Sequence, residues 1–213
     1  MFLTQLKLST QDMIDLRIKD DYAVHKIVYS LFPEEEKERN RILYVDKEVR
    51  KDHRVLWILS QIEPQMKFEK EKMQTKPVSE DFLNHKRYSF EIVLNPVKKS
   101  KESGKLVAIR IPPKTKENEN LQERAKELLD WFFQKAEQNG FAPDQEKLQF
   151  LPKPTQTFSQ KDHKEQTVVH NKVLFSGTLT VTDPERFRQA FEQGIGKAKA
   201  FGFGLLQLVP IFD

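Results

Sequence analysis

The stretch RILYVDKEVRKDHRVLWILSQ, residues 41–61, decides how this chain folds. Two runs rich in β-branched and aromatic residues, RILYVD (41–46) and RVLWILSQ (54–61), flank the polar connection KEVRKDH. Such a pair reads as a β-hairpin. Upstream lies DDYAVHKIVYSLFP, Asp20 to Pro33. At about 100° per residue, Val24, Ile27, Val28 and Leu31 share one sector, which predicts a helix over 21–32. Asp20 is its N-cap and Pro33 falls just past its end. Glu34 to Arg41 is a solvated turn, and FLTQLKL (2–8) is an opening strand. Downstream, residues 65–78 show no regular pattern, Ser79 to Asn84 suggests a short helix, and RYSFEIVLN (87–95) a strand. The order is β-α-β-β-α-β, the ferredoxin-like pattern.

The pattern then starts again. NPVKKSKESGK (95–105) is polar, basic and turn-rich, and LVAIRI (106–111) is a strand candidate. In ENLQERAKELLDWFFQKAEQNG, Leu121, Ala125, Leu128, Leu129, Phe132, Phe133 and Ala136 recur at helical spacing, with Gly140 as C-cap. LQFLPKPTQTF and TVVHNKVLFSGTLTVT are extended segments separated by SQKDHKEQ. DPERFRQAFEQ is a short helix with Asp183 as N-cap and Pro184 in its first turn, and GLLQLVPI is the last strand. The expected fold is α+β, with two tandem ferredoxin-like (RRM-like) domains. The first spans 1–95, the linker 96–105 and the second 106–213.

A length of 213 residues suits one large domain or two of roughly 100 residues. Hydrophobic residues at 38% against 32% charged allow a core, though not a thick one, and 16 phenylalanines are available to fill it. Net charge is +4 and the pI about 9.0, which is compatible with a polyanionic partner. The absence of cysteine excludes disulfides, thiolate metal sites and cysteine nucleophiles. No apolar run is long enough to span a bilayer, and MFLTQLKLST lacks the order of a signal peptide, so a cytoplasmic protein is expected.

Chemistry points to the front of the first helix. Tyr22, His25, Lys26 and Tyr29 occupy the sector opposite the apolar one. A His three residues from a Tyr can share one bound group with it, and its titration near neutral pH suits proton transfer. A His and a Tyr packed at a domain seam is the plainer alternative. His53, His85, His163 and His170 are weaker candidates, and no two have metal-ligand spacing.

GIGKAKAFGFG (194–204) concentrates Gly194, Gly196, Gly202 and Gly204 around Lys197 and Lys199. Glycines let backbone N–H groups approach an anion. Ala198 after Lys197 rules out the nucleotidase phosphate loop, and the helix-then-strand context rules out the dinucleotide fingerprint. Lys161, His163 and Lys164 tip a hairpin that a nucleic-acid groove would accept, and Lys98, Lys99, Lys101 and Lys105 line the linker.

Taken together, MFLTQLKL, YAVH, LFP, LNPVK, FSGTLTVTDPERF and the terminal GIGKAKAFGFGLLQLVP resemble the CasE (Cse3) endoribonucleases of type I-E CRISPR systems. The likeness spans nearly the whole chain, and its last segment is the most specific. It implies a metal-independent cut at the 3′ base of a repeat-RNA stem-loop, with no cofactor. It carries the family's catalytic residues onto His25 and Tyr22, and its groove-inserting hairpin onto Lys153 to Lys164. The expected RNA contacts are Lys26, Arg39, Arg41, Lys98, Lys99, Lys161, Lys164, Gly194, Gly196, Lys197, Lys199 and Gly202. The implied partners are CRISPR repeat stem-loop RNA and other Cascade subunits, with the isolated protein a monomer away from any membrane. The rival readings are a non-catalytic RNA-binding subunit of a CRISPR ribonucleoprotein, a metal-dependent nuclease and a small-molecule binding protein.

Overall fold

Successive residues of the 41–61 hairpin serve two cores, and this sets the layering. The computed structural model describes residues 1–50, 52–110, 124–159 and 167–212. Strands β1 (Phe2–Ser9), β2 (Ile42–Arg50), β3 (His53–Ser60) and β4 (Met73–Pro77) form an antiparallel sheet in the order β2-β3-β1-β4. Ile42, Tyr44, Leu56 and Ile58 point to one face, where Val24, Ile27, Val28 and Leu31 of helix α2 (Asp21–Ser30) cover them. Leu43, Val45 and Leu59 point to the other face and join the core of the second half. The period-2 alternation of a strand is thus masked, because both faces are apolar. Helix α1 (Thr10–Asp15) precedes α2, and the expected turn after it holds one helical turn, α3 (Glu34–Lys37).

The second sheet begins earlier than expected. Strand β5 (Arg87–Leu94) pairs with β10 (Thr167–Val181) and β11 (Gln207–Pro210), not with the first sheet. The fourth strand of the first sheet is β4, which falls in the segment 65–78 that shows no regular pattern in sequence. The physical reason is plain: β4 is a short edge strand in which only Met73 is buried. An edge strand faces solvent and tolerates Pro77, so it carries little hydrophobic signal.

The expected linker and the expected strand at 106–111 instead meet in a two-stranded ribbon, β6 (Val97–Lys99) with β7 (Leu106–Ala108). The helix expected at 79–84 is a single 3-10 turn, Glu80–Leu83. The long helix is α4 (Lys126–Gln138); its expected start near Leu121 lies outside the described residues.

Strands β8 (Phe141–Pro143) and β9 (Gln149–Ser159) both pair with β10, and α5 (Pro184–Gln193) leads towards β11. The order β11-β5-β10-β8 repeats that of the first sheet, so both halves are ferredoxin-like. Phenylalanines fill the second core, with the Phe132 and Phe175 rings stacked at 4.1 Å and 3°. Among the described residues, no helix is long and apolar enough to cross a membrane.

Two local devices hold the helices in place. Asp20 Oδ1 accepts from Ala23 N at 2.8 Å and caps α2. Gly140 ends the α4 segment at φ +77°, where a Cβ would lie 2.4 Å from Asp183 O and 2.8 Å from Phe187 N. Asp20→Ala should cost about 1 kcal/mol through loss of the cap. Gly140→Ala should cost more, at least about 2 kcal/mol, because backbone atoms must move. Urea midpoints of the two variants rank them, and equal midpoints would contradict the close approach at Gly140.

Candidate functional site

Helix α2 presents two exposed groups and two half-buried ones on its front. Tyr22 (44% exposed) and Lys26 face solvent, with the Lys26 Nζ 4.5 Å from the centre of the Tyr22 ring. His25 and Tyr29 are half-buried. Around the His25 ring stand Tyr29 at 4.3 Å, Phe201 at 5.1 Å and Tyr22 at 5.9 Å, centre to centre. His25 therefore does lie at a seam between the two halves of the chain.

The glycine-rich segment forms the opposite wall. After α5 it runs through Gly194, Ile195 and Ala198 into a 3-10 turn, Lys199–Phe201. Its ends are fixed by Ile195 N donating to Gly204 O (2.9 Å) and Gly204 N donating to Val93 O (2.8 Å). A Cβ at Gly202 would lie 3.0 Å from the Tyr44 ring, so this turn sits directly on β2. The result is that Ala200 O lies 2.7 Å from His25 Nδ1.

A carbonyl can only accept, so Nδ1 carries the hydrogen and Nε2 of the neutral ring carries the lone pair. Burial pushes the His25 pKa down; the Ala200 carbonyl opposes this, while Lys26 and Lys37 reinforce it. The ring is consequently neutral near pH 7 and able to accept a proton at Nε2.

Cations dominate the charges acting on this seam, although Glu38 lines the cleft beside Tyr29 with Arg41. Burial, Arg41 and Lys197 push the Lys199 ammonium pKa down. Burial raises the Tyr29 phenol pKa, and Arg41 opposes it. Among the described residues, no carboxylate is one of the groups that shift His25, Tyr29 or Lys199. Crowded cations of this kind favour an anionic ligand. Acidic groups gather instead at the start of α2. There Asp21 lies 3.5 Å from Arg54, Arg54 also bonds Asp46, and Lys172 of β10 favours the ionised form of Asp21. Burial is nevertheless the largest influence on Asp21 and raises its pKa.

The residues named from the sequence are not all brought together. Arg39 and Arg41 line a polar cleft beside Tyr29. Arg41 and Lys197 both lie close enough to Lys199 to influence it, and Lys199 Nζ donates to Gln193 O at 2.9 Å. Lys98 pairs with Glu127 on α4, and Lys99 is exposed on the same ribbon. Lys161 and Lys164 lie outside the described residues.

Gly194 does not offer its N–H to an anion, because that group already donates to Ala190 O, and a Cβ there would lie 2.7 Å from Leu43. Gly196 has more room, its nearest neighbour being Leu94 at 3.5 Å. Among the described residues, no group of three His, Asp or Glu is placed to hold a metal ion. A larger, mostly apolar cavity of about 620 Å³ lies between Trp57, Phe82 and Leu208, and no residue of α2 lines it.

Sequence reasoning missed the Ala200 carbonyl, Phe201 and the place of His170. His170 packs on Phe201 at 5.9 Å, and its Nδ1 lies 3.0 Å from the buried Asn95 amide. A register shift in the β9–β10 pairing falls between His170 and Lys172. Such a bulge re-aims side chains and gives no signature in sequence. A backbone carbonyl gives none either.

Known proteins match this chain along its length. The CRISPR-associated endoribonuclease Cse3 of Thermus thermophilus is 29% identical over 142 residues, covering 63% of this chain and 61% of that relative. A structure of CRISPR endoribonuclease Cse3 bound to 19 nt RNA superposes with a TM-score of 0.79 at 26% identity, covering 99% of this chain and 100% of that one. The fold is also that of Cas6e from Escherichia coli str. K-12, with a TM-score of 0.65 at 22% identity over 99% and 100% of the two chains. A family model described as CRISPR associated protein matches residues 1–210, and the chain belongs to that family.

Proposed function

We propose that this chain is a metal-independent endoribonuclease that cuts CRISPR precursor RNA at the 3′ base of the repeat stem-loop and keeps the product as a Cascade subunit. One observation carries the reading: His25 is held by Ala200 O in the tautomer that leaves Nε2 as a base, beside a crowd of cations. The likeness to Cse3, an endoribonuclease whose structure includes RNA, supports the same reading.

RNA supplies its own nucleophile. His25 Nε2 takes the proton from the ribose 2′-hydroxyl, and that oxygen attacks the adjacent phosphorus. The P–O5′ bond breaks, and the leaving oxygen takes a proton from solvent at the exposed Tyr22 edge. The products are a 2′,3′-cyclic phosphate and a 5′-hydroxyl. Tyr22 hydrogen-bonds the phosphate, with Lys26 over its ring. Lys197, Lys199 and Arg41 balance the phosphate charge as it builds up. The chemistry asks the protein only for position, a base and charge stabilisation.

His25→Ala should slow single-turnover cleavage of a repeat RNA by about 10²- to 10⁴-fold while RNA affinity stays within a few-fold. A 2′-deoxy residue at the cut should abolish cleavage, and EDTA should leave it unchanged. Cutting of the deoxy substrate, or loss of activity in EDTA, would sink the mechanism. Binding with no cleavage of the natural repeat RNA would instead identify a non-catalytic RNA-binding subunit.

The pH dependence has a definite sign. A base must be neutral, and the His25 pKa lies below its ordinary 6.5. At sub-saturating RNA the rate should be flat across neutral pH and fall about tenfold per unit only below about pH 6.5. A decline starting above pH 7 would contradict the assignment of His25 as base.

A further inference from the structure

Four residues beyond His25, Tyr29 also borders a second feature. It lines a cleft of about 240 Å³ together with Lys37, Glu38, Arg39, Asn40, Arg41, Ile42, Gln61 and Gln193, so one carboxylate stands among three cations. The lining has two kinds of polar edge. Gln61 Oε1 accepts from Arg41 N at 3.0 Å, so its amide keeps its N–H donors. Asn40 Nδ2 donates to Glu36, so its Oδ1 remains an acceptor. An amide donor and an amide acceptor beside an aromatic ring are the groups that read the edge and face of an unpaired base. Arg39 and Arg41 are exposed at the same cleft, where phosphate would pass.

The direction of approach follows from the helix. His170 of β10, the strand of the long hairpin, packs on Phe201 at 5.9 Å, and Phe201 packs on His25 at 5.1 Å. Tyr29, one turn after His25, borders the cleft. The cleft therefore opens about 6 Å along the helix axis from His25, and among the described residues none of β9 or β10 lines it. On the nuclease reading, RNA whose stem lies on the β10 side of His25 leaves over the cleft.

We propose that this cleft is a nucleotide subsite for the first nucleotide beyond the scissile phosphate, on the side that leaves with the 5′-hydroxyl. The inference rests on the nuclease reading above. The base enters beside Tyr29 against the amides of Gln61 and Asn40, and its 3′ phosphate faces Arg39, with Arg41 between it and the scissile phosphate. Anchoring this nucleotide holds the leaving oxygen in line with the attacking 2′-hydroxyl, which is where position affects the rate. It also requires the RNA beyond the stem to be unpaired.

The experiment is single-turnover cleavage by the full chain of repeat RNAs carrying one abasic site. An abasic residue at the first position past the cut should slow cleavage roughly 5- to 100-fold, the worth of one stacked base, and one at the third position less than about twofold. Gln61→Ala and Asn40→Ala should slow the intact RNA but have no further effect on RNA abasic at the first position. No slowing at the first position, equal slowing at both positions, or variants that slow intact and abasic RNA alike would overturn the subsite. Natural repeat RNA cut normally in those same assays would leave the nuclease reading standing. Failure to cut the natural RNA would bring down both.

Discussion

The site depends on one hydrogen bond, from His25 Nδ1 to the carbonyl of Ala200. It joins a helix of the first half to a turn of the second, 175 residues away in sequence. Its geometry has a structural cost. Ala198 adopts φ 62°, a left-handed conformation that disfavours a side chain by about 1–2 kcal/mol. Gly202 and Gly204 adopt φ +84° and +83°, and a Cβ at Gly204 would sit 2.4 Å from Ile195 O. The glycines in this segment serve close packing as much as any ligand. They let the turn press against Tyr44 and Leu43 so that one carbonyl reaches the imidazole.

Burial and charge then act together on that imidazole. A half-buried ring among cations loses its charged form, which is what a base needs and what a catalytic acid would not want. The Lys199 ammonium is depressed first by burial and then by Arg41 and Lys197, so part of its shift is repulsion among these cations. An anionic ligand relieves that crowding, so the repulsion that disfavours the free site favours its anion-bound form.

Much of this was legible in the sequence, unevenly. The apolar back of α2, its Asp20 cap and the Tyr22–His25 front can all be read from 3.6-residue spacing, because the helix lies on the surface and shows a clean division. The hairpin at 41–61 is legible as strands, yet its burial on both faces hides which sheet each residue serves. The sequence places the sheet boundary one strand too late because Met73–Pro77 has a single buried side chain, while Arg87–Leu94 looks the same in either sheet. Repetition of one topology makes that shift easy: a strand moved from the start of the second unit to the end of the first still completes a valid pattern. Around the site, what escapes is carried by the backbone or by register. Ala200 contributes a carbonyl, and His170 depends on a bulge.

The ionic group at the start of α2 bears on how the halves stay in register. Asp21, Asp46, Arg54 and the Lys172 side chain, which is 9% exposed, come from a helix, two strands of the first sheet and one of the second. Desolvation works against such a group, so net stability is not its best justification; a fixed relative placement is. Here the quantity that must be fixed is the distance between α2 and the turn carrying Ala200, because a shift of about 1 Å would break a 2.7 Å hydrogen bond and release the imidazole to the other tautomer. The chemistry of His25 is then a property of the junction. Substitutions confined to the second half can change which nitrogen is basic without touching the His25 or Tyr22 side chain.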